Sequence, residues 1–208
     1  MAEAKSPRRA NIPLEQLRPT QITVGMLQVK HKRKRLRALE KRPCELVEFI
    51  LENPIRVVLG PAHKAYVIDR HHLGLALIKE NFETAPMEIE DDFSALSETA
   101  FWKKMQARRF VHLEDAAGKR HPLQSLPKSL KRLDDDPYRS LAGFVRTAGG
   151  FHKVPTPYAE FRWADYFRSR IDEELLRSHF HKALTQAIAM ASHEDAANLP
   201  GYLIRKPK

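Results

Sequence analysis

The sequence contains a single cysteine, Cys44, which excludes an intramolecular disulfide framework and a structural zinc site built from cysteines. It contains no run of about 18 uncharged apolar residues, the length that a membrane-spanning helix requires. The first residues, MAEAKSPRRANIPLEQ, carry basic side chains without an apolar stretch behind them, unlike a secretory signal. We therefore expect a cytoplasmic protein that does not associate with membranes.

The overall composition is that of a folded chain. The hydrophobic share of 42% and the charged share of 30% make the sequence too apolar for wholesale disorder. Its 208 residues accommodate one medium domain, or a small domain with a large extension.

The net charge of +10 is concentrated near the start of the chain. Residues 1–42 hold 12 Lys and Arg against 3 Asp and Glu, whereas residues 43–208 hold 24 against 23. We call the cluster of basic residues from Lys30 to Arg37 the basic block. Four consecutive cations form its densest part: Lys32, Arg33, Lys34 and Arg35. One interpretation is contact with nucleic-acid phosphates, without recognition of base sequence. The alternative is a solvated helix face, since Val29, Leu36 and Leu39 form an apolar stripe beneath the charges.

The pattern of apolar residues predicts an α+β fold. Two β-branched runs, 55–59 and 65–68, flank a Gly-Pro turn and predict a hairpin or two adjacent strands. The segment 73–78 is apolar nearly all round, which predicts a buried helix. A strand is predicted near residues 86–90. We expect a disordered leader over 1–10, a compact mixed α/β core over 11–95, and a helical extension over 96–208 that packs on the core.

Helical spacing predicts four further helices. One begins at Pro43 and ends at Asn53, and the second covers residues 97–110. A short amphipathic helix is predicted over 158–168. The last begins near Ser169, where Ser169 and Asp172 resemble a capping box, and continues to about residue 192. Between residues 111 and 158 the periodicity fades, and the Asp136-Pro137 and Gly149-Gly150 stretches there are candidates for a lid or a pocket support.

The junction between the second β run and the buried helix has the composition of a phosphate site. Asp69, Arg70, His71 and His72 lie where the positive end of a helix dipole attracts an anion. Imidazole also exchanges protons near neutral pH. The alternative is that Asp69 only caps the helix and one histidine packs in the core. Adjacent histidines on a helix project about 100° apart, so this pair alone does not predict a metal site.

The stretch YVIDRHHLGLAL resembles the signature of the ParB/sulfiredoxin superfamily, in its ParB-like nuclease branch. Three other segments are similar to the same branch: LEQLRPTQITVGMLQVKHK, DDDPYRSLAGFVRTAGGF and YAEFRWADYFR. The resemblance covers residues 12–170. Because His71 stands in place of the reactive cysteine of sulfiredoxins, their reaction is not expected. A DNA-reading helix-turn-helix is not recognisable either.

The resemblance implies a compact sulfiredoxin-like fold that holds a nucleotide or another phosphate group over the turn. It implies catalytic roles for Asp69, His71 and His72, and it places Arg70 where relatives often carry glycine. The remaining residues that it implies are phosphate ligands or supporting residues: Thr20, Gln21, Lys30, Glu15, Glu160 and Trp163. Glu160 and Trp163 are equally consistent with core packing, and Glu15 with a surface position.

Three functions remain open at this point. In the first, the basic block holds nucleic acid and the turn positions a phosphodiester for cleavage, with a divalent cation such as Mg²⁺. In the second, the turn cradles the phosphates of a purine nucleotide for transfer to a small molecule. In the third, the chain binds a nucleotide or nucleic acid without catalysis. The basic block favours the first function, and the lack of a carboxylate cluster for two metal ions counts against it.

Overall fold

The structure is a computed structural model that describes residues 8–203. It confirms the α+β class, with a five-stranded mixed sheet, a two-stranded sheet and eight α-helices in that range. The strands are β1 (Arg8–Pro13), β2 (Arg18–Pro19), β3 (Thr23–Val24), β4 (Ile55–Leu59), β5 (Ala65–Asp69), β6 (Thr84–Asp92) and β7 (Asp134–Asp135). The helices are α1 (Met26–Glu40), α2 (Pro43–Glu52), α3 (His71–Lys79), α4 (Glu98–Ala107), α5 (Pro137–Thr147), α6 (Ala159–Arg168), α7 (Glu173–Ser178) and α8 (Phe180–Met190).

The chain divides into two compact units. The first contains the residues up to 22, then 29–113 and 120–133, and the second contains 23–28, 114–119 and the residues from 134 onward. The first seven residues of the predicted leader lie outside the described range, and its last three belong to β1. The predicted division into a core over 11–95 and an extension packed on it stays a prediction.

The five-stranded sheet of the first unit has the order β1-β6-β4-β5-β2. β4 pairs antiparallel with β5, which confirms the predicted hairpin, and parallel with β6. The outer strands complete a mixed sheet, since β1 is antiparallel to β6 and β2 is parallel to β5. β5 therefore lies inside the sheet, and its last residue leads directly into α3.

Two helices of the first unit bury their apolar side chains, as their sequences predict. In α3 every residue from Leu73 to Ile78 is buried. α4 buries Phe101 and Met105, which join Val58 and Tyr66 in a hydrophobic cluster. The first unit thus extends beyond residue 95, because the inner face of α4 supplies part of its core.

Helix α2 is predicted correctly in position but is not buried. Pro43 occupies its first turn, as expected, yet none of its residues is buried. Val47 and Leu51 are 56% and 47% exposed, beside the exposed Cys44. The first unit therefore leaves an apolar strip on its surface. Neither α2 nor any other helix in residues 8–203 has the length and apolar content to cross a bilayer.

The second unit contains one helix that the sequence did not predict and one start that was predicted wrongly. α5 lies within the region of fading periodicity, with Asp136 as its N-cap and Pro137 in its first turn. Near the C-terminus two helices, α7 and α8, replace the single predicted one. The cap of α7 is Asp172, whose carboxylate accepts two backbone N–H groups, whereas Ser169 ends α6. The predicted capping box with Ser169 as its cap is therefore wrong.

Candidate functional site

The turn between β5 and α3 brings four predicted site residues to one corner of the first unit. β5 ends at Asp69, α3 begins at His71, and Arg70 alone connects them. Arg70 has φ 68° and ψ 31°, a left-handed conformation that glycine adopts without steric cost. Arg70 therefore has the backbone conformation that a glycine would adopt at this position.

Two hydrogen bonds stabilise this corner. The Arg70 guanidinium donates to the amide oxygen of Asn53, the residue that ends α2. The Asp69 carboxylate accepts the Arg70 backbone N–H at 2.7 Å. Arg70, and not Asp69, occupies the N-cap of α3, and no side chain caps the helix from that position. The positive end of the helix dipole thus lies next to the exposed Asp69.

The left-handed backbone at Arg70 predicts an unusual order of variant stabilities. Arg70→Gly and Arg70→Ala both remove the bond to Asn53, but only glycine relieves the left-handed strain. Strain of about 1–2 kcal/mol, less the chain entropy of glycine, leaves the glycine variant about 0.5–1 kcal/mol more stable. Urea denaturation followed by circular dichroism measures this difference. An alanine variant as stable as the glycine variant would contradict the backbone assignment.

His71 points inward and joins α3 to the segment that follows β2. Its Nε2 accepts the Thr20 backbone N–H at 3.3 Å, so the imidazole is neutral in this arrangement. The Thr20 hydroxyl donates to the Val67 carbonyl at 2.6 Å. Both His71 and Thr20 are buried. The polar groups of these two residues therefore connect the turn to the sheet.

Three members of the motif, Asp69, Arg70 and His72, are at least partly exposed, and two of them can transfer protons near neutral pH. Asp69 is exposed and His72 is partly exposed, while His71 is buried. A carboxylate and an imidazole can accept and donate protons at an oxygen bound beside them. The corner is therefore an open surface site, and its residues line neither the apolar strip on α2 nor the groove along α4 described below.

The expected divalent cation has no ready set of ligands. Among residues 8–203 no group of three or more His, Cys, Asp or Glu side chains converges as a metal-binding cluster. The residues present therefore do not fit a protein-held Mg²⁺, and we derive no step through a metal ion.

The basic block lies on α1, and half of it is engaged within the first unit. Arg33 and Arg37 contact the Glu80 carboxylate at 2.5 and 2.7 Å. The hydrogen bond from Arg37 and that from Arg33 lower the pKa of Glu80 below its ordinary value, although burial opposes them. Arg35 lies over the ring of Phe49, 4.3 Å from its centroid. These arginines stabilise α1 against its neighbours.

The lysines of the basic block lie at the surface, as its arginines do. Lys30 and Lys34 are exposed and Lys32 is partly exposed. Glu80, which contacts Arg33 and Arg37, is the C-cap residue of α3. The basic block therefore lies at the end of α3 opposite the Asp69–His72 corner. Nine helical residues at about 1.5 Å each separate the two ends by roughly 14 Å. The described contacts thus do not bring the basic block and the corner together.

Two other predicted residues lie away from the solvent-facing corner. Gln21 is buried and pairs with His112 through an isolated parallel bridge. Glu15 is exposed and forms an ion pair with Lys131. Their roles as pocket residues stay predictions.

Sequence reasoning missed two residues that organise this part of the molecule, Asn53 and Glu80. Asn53 was interpreted only as a helix stop. The spacing of four between Arg33 and Arg37 was a signal for a shared carboxylate partner.

Glu160 and Trp163 belong to the second unit. Glu160 forms an ion pair with Arg146, and its carboxylate lies 3.7 Å from the Arg139 guanidinium. Trp163 is fully buried and stacks on Phe151 with 4.3 Å between ring centroids. Trp163 is thus a core residue, the alternative that its aromatic spacing also allowed.

The chain is similar to known proteins in both sequence and fold. The family model described as "Putative ParB-like nuclease" matches residues 10–169. The crystal structure of protein Atu1540 from Agrobacterium tumefaciens is similar at 42% identity, with a TM-score of 0.85. That match covers 95% of this chain and 98% of the other. No curated protein matches the sequence.

Proposed function

Because the chain belongs to the family of putative ParB-like nucleases, we propose that it binds nucleic acid and holds a phosphodiester at the Asp69–His72 corner. The observation that carries this proposal is that Asp69 is exposed and His72 partly exposed at the N-terminal end of α3, the positive end of its dipole. A phosphate is the anion that such a helix end attracts. We place this activity in the cytoplasm, which the use of a single cysteine supports.

In the proposed reaction the corner supplies proton transfer. Asp69 accepts a proton from the attacking water, and His72 donates one to the oxygen that leaves phosphorus. His71 positions the corner through Thr20 and remains neutral, so it does not exchange protons with the substrate. Thr20 supports the corner from behind through its hydrogen bonds with His71 and Val67.

The lysines of α1 provide the proposed contact with the nucleic-acid backbone. Lys30 and Lys34 are exposed and Lys32 is partly exposed, while Arg33 contacts Glu80 and Arg35 lies over Phe49. A phosphate chain that reaches both α1 and the corner must cover roughly 14 Å, the length of α3. This distance favours a polymer over a mononucleotide as the ligand that uses both regions.

The binding part of the proposal is tested with a Lys30→Gln/Lys34→Gln variant. Each lost phosphate contact reduces the slope of log K against log salt by about 0.9 on duplex DNA, so the double variant should lose about 1.8. Fluorescence anisotropy of a labelled duplex at several salt concentrations measures the slope. The control, Lys153→Gln/Lys182→Gln, removes the same charge from exposed positions of the second unit. Equal slopes for the two variants would overturn the assignment to α1.

The catalytic part is tested separately by cleavage of labelled DNA and RNA. Asp69→Asn and His72→Gln should each slow cleavage by about 10²- to 10⁴-fold, the usual contribution of a general acid or base. Duplex binding should be retained, because it depends on α1. If neither variant alters a measurable cleavage rate, or if the unaltered protein cleaves no substrate with or without Mg²⁺, the catalytic role is wrong. Phosphoryl transfer from ATP would instead favour the phosphotransferase alternative.

A further inference from the structure

A second concave surface lies along the outer face of α4, within the first unit. One wall is α4, another is the segment 123–128, and Pro19 and Tyr66 also line the surface. We call this surface the α4 groove. Its volume is about 840 Å³, within the range of small-molecule sites of about 300–1,000 Å³. The groove is thus large enough for a nucleotide, and neither the corner nor α1 contributes to it.

The aromatic part of the groove is held firmly by its neighbours. Trp102 lines the groove and is partly exposed. Its ring meets Tyr66 edge-on at 5.1 Å and Phe101 at 4.9 Å, while Tyr66 and Phe101 are 4.8 Å apart. A partly exposed indole fixed by two other rings offers a flat surface on which a nucleobase can stack without a large loss of side-chain entropy.

The charge around the groove has one dominant sign. Four cations line it: Arg18, Lys64, Lys103 and Lys128. Glu98 is the one acidic residue in that lining. This excess contrasts with the nearly neutral balance of residues 43–208. Arg18 donates to the Lys128 carbonyl, which holds the guanidinium against the second wall. An anionic group beside the indole would therefore be attracted.

Neutral hydrogen-bonding groups complete the lining. Gln106, one turn beyond Trp102 on α4, and Gln124, on the opposite wall, both line the groove. An amide both donates and accepts, which suits the polar edge of a base. Leu123 and Leu126 add an apolar surface between the charged rims. The lining thus combines an aromatic surface, amides and cations.

We propose that the α4 groove binds one nucleotide unit, with its base stacked on Trp102 and its phosphate beside Lys103 and Lys128. The inference goes beyond the proposed function, because it requires neither cleavage at the Asp69–His72 corner nor contact with α1. The same chemistry is present in a free mononucleotide and in an unpaired segment of nucleic acid. A duplex is expected to bind this groove poorly, because its bases are already stacked on each other.

The test measures Kd values by fluorescence anisotropy for a labelled single-stranded oligothymidylate and by competition for dTMP and AMP. Trp102→Ala should weaken oligothymidylate binding by about 5- to 100-fold, the usual loss for one stacked base. Trp102→Phe retains a ring and should bind within a few-fold of the unaltered protein. Circular dichroism of both variants establishes that the fold is intact.

Charge variants provide an independent test of the α4 groove. Lys103→Gln/Lys128→Gln should reduce the salt slope on the single strand by about 1.4, at about 0.7 for each contact. The matched control is Lys104→Gln, on the same helix but outside the groove, where the ammonium lies over Phe93. It should leave the Kd unchanged. Lys30→Gln/Lys34→Gln should preserve the effect of Trp102→Ala, which separates this groove from α1.

The two sources of the nucleotide give different patterns. Competition by dTMP or AMP that is lost in Trp102→Ala would identify a free nucleotide as the ligand. Binding of the oligothymidylate alone, with the same dependence on Trp102, would identify unpaired nucleic acid. The inference is overturned if Trp102→Ala binds every probe as tightly as the unaltered protein, or if the unaltered protein binds none of them at low salt. Either result is independent of whether the corner cleaves DNA.

Discussion

Replacing Asp136 with alanine is expected to lower the free energy of unfolding by about 3 kcal/mol. Asp136 is 1% exposed, and one of its carboxylate oxygens accepts the backbone N–H groups of Tyr138 and Arg139 at 2.9 and 3.2 Å. The other oxygen accepts from Arg168 at 2.6 Å. The single side chain therefore caps α5 and pairs with α6. Alanine removes the cap and leaves a mostly buried guanidinium without this partner.

Burial raises the pKa of the Asp136 carboxyl, while the charge of Arg168 and the two N–H groups act in the opposite direction. Two control variants separate these contributions. Asp136→Asn retains an oxygen for the cap but not the charge, so it should lose about 1–2 kcal/mol. Asp165→Ala removes the exposed second partner of Arg168 and should lose less than about 1 kcal/mol.

Urea denaturation of the Asp136 variants should be followed by tryptophan fluorescence in a Trp102→Phe background. Of the two tryptophans in the chain, Trp163 alone then remains, so the signal reports on the second unit. A change below about 1 kcal/mol for Asp136→Ala would mean that the cap and the ion pair do not stabilise the fold.

The second large effect is expected at Trp163. Trp163→Ala should cost about 3–5 kcal/mol, the usual loss for truncating a buried aromatic side chain. The ring is fully buried and parallel to Phe151 within 9°, and its Nε1 donates to the Pro200 carbonyl at 2.8 Å. Alanine would leave a cavity beside Phe151 and an acceptor without its donor.

Circular dichroism in urea measures the cost at Trp163, since the one remaining tryptophan, Trp102, lies in the first unit. Trp163→Phe retains an aromatic ring and should cost about 1–3 kcal/mol, mainly from the lost hydrogen bond and volume. Arg162→Ala, at an exposed position on the same helix, should stay within about 0.5 kcal/mol. A Trp163→Ala variant of unchanged stability would contradict the core assignment and favour the supporting role that the sequence also allowed.

The sequence predicted the sheet around the turn well because those signals are local. The β-branched run 55–59, the Gly60-Pro61 turn and the continuous apolar segment after His72 each specify one element. The structure confirms β4, β5 and α3 in their predicted places. A motif that joins a strand to a helix also determines which residues share a corner. The sequence alone therefore predicts that Asp69 and His72 lie close together.

Helix α5 was missed although its signals are present. Asp136 and Pro137 are favoured residues for an N-cap and a first turn. Leu141 and Val145, four residues apart, are both fully buried. The high Pro, Asp and Gly content of the surrounding region obscures the apolar periodicity, although Asp and Pro are also residue types that begin helices. The composition of the region alone therefore did not predict α5. The positions of Asp136 and Pro137, just before apolar residues at helical spacing, do indicate it.

The partners of charged side chains could not be predicted, because they are distant in sequence. Glu80 is 47 residues from Arg33, and the α4 groove requires residues 123–128 to face α4. Local periodicity contains no information on such pairings. The sequence therefore indicated a basic helix, but it did not indicate which of its cations already contact a carboxylate or a ring.

The exposed strip on α2 has a practical consequence. Cys44 lies on the surface next to Val47, an apolar residue, so molecules that meet through this strip also bring two thiols together. Air oxidation would then join them covalently and mimic a dimer in sizing experiments. Measurements of mass in solution should therefore include a reductant, or use Cys44→Ser.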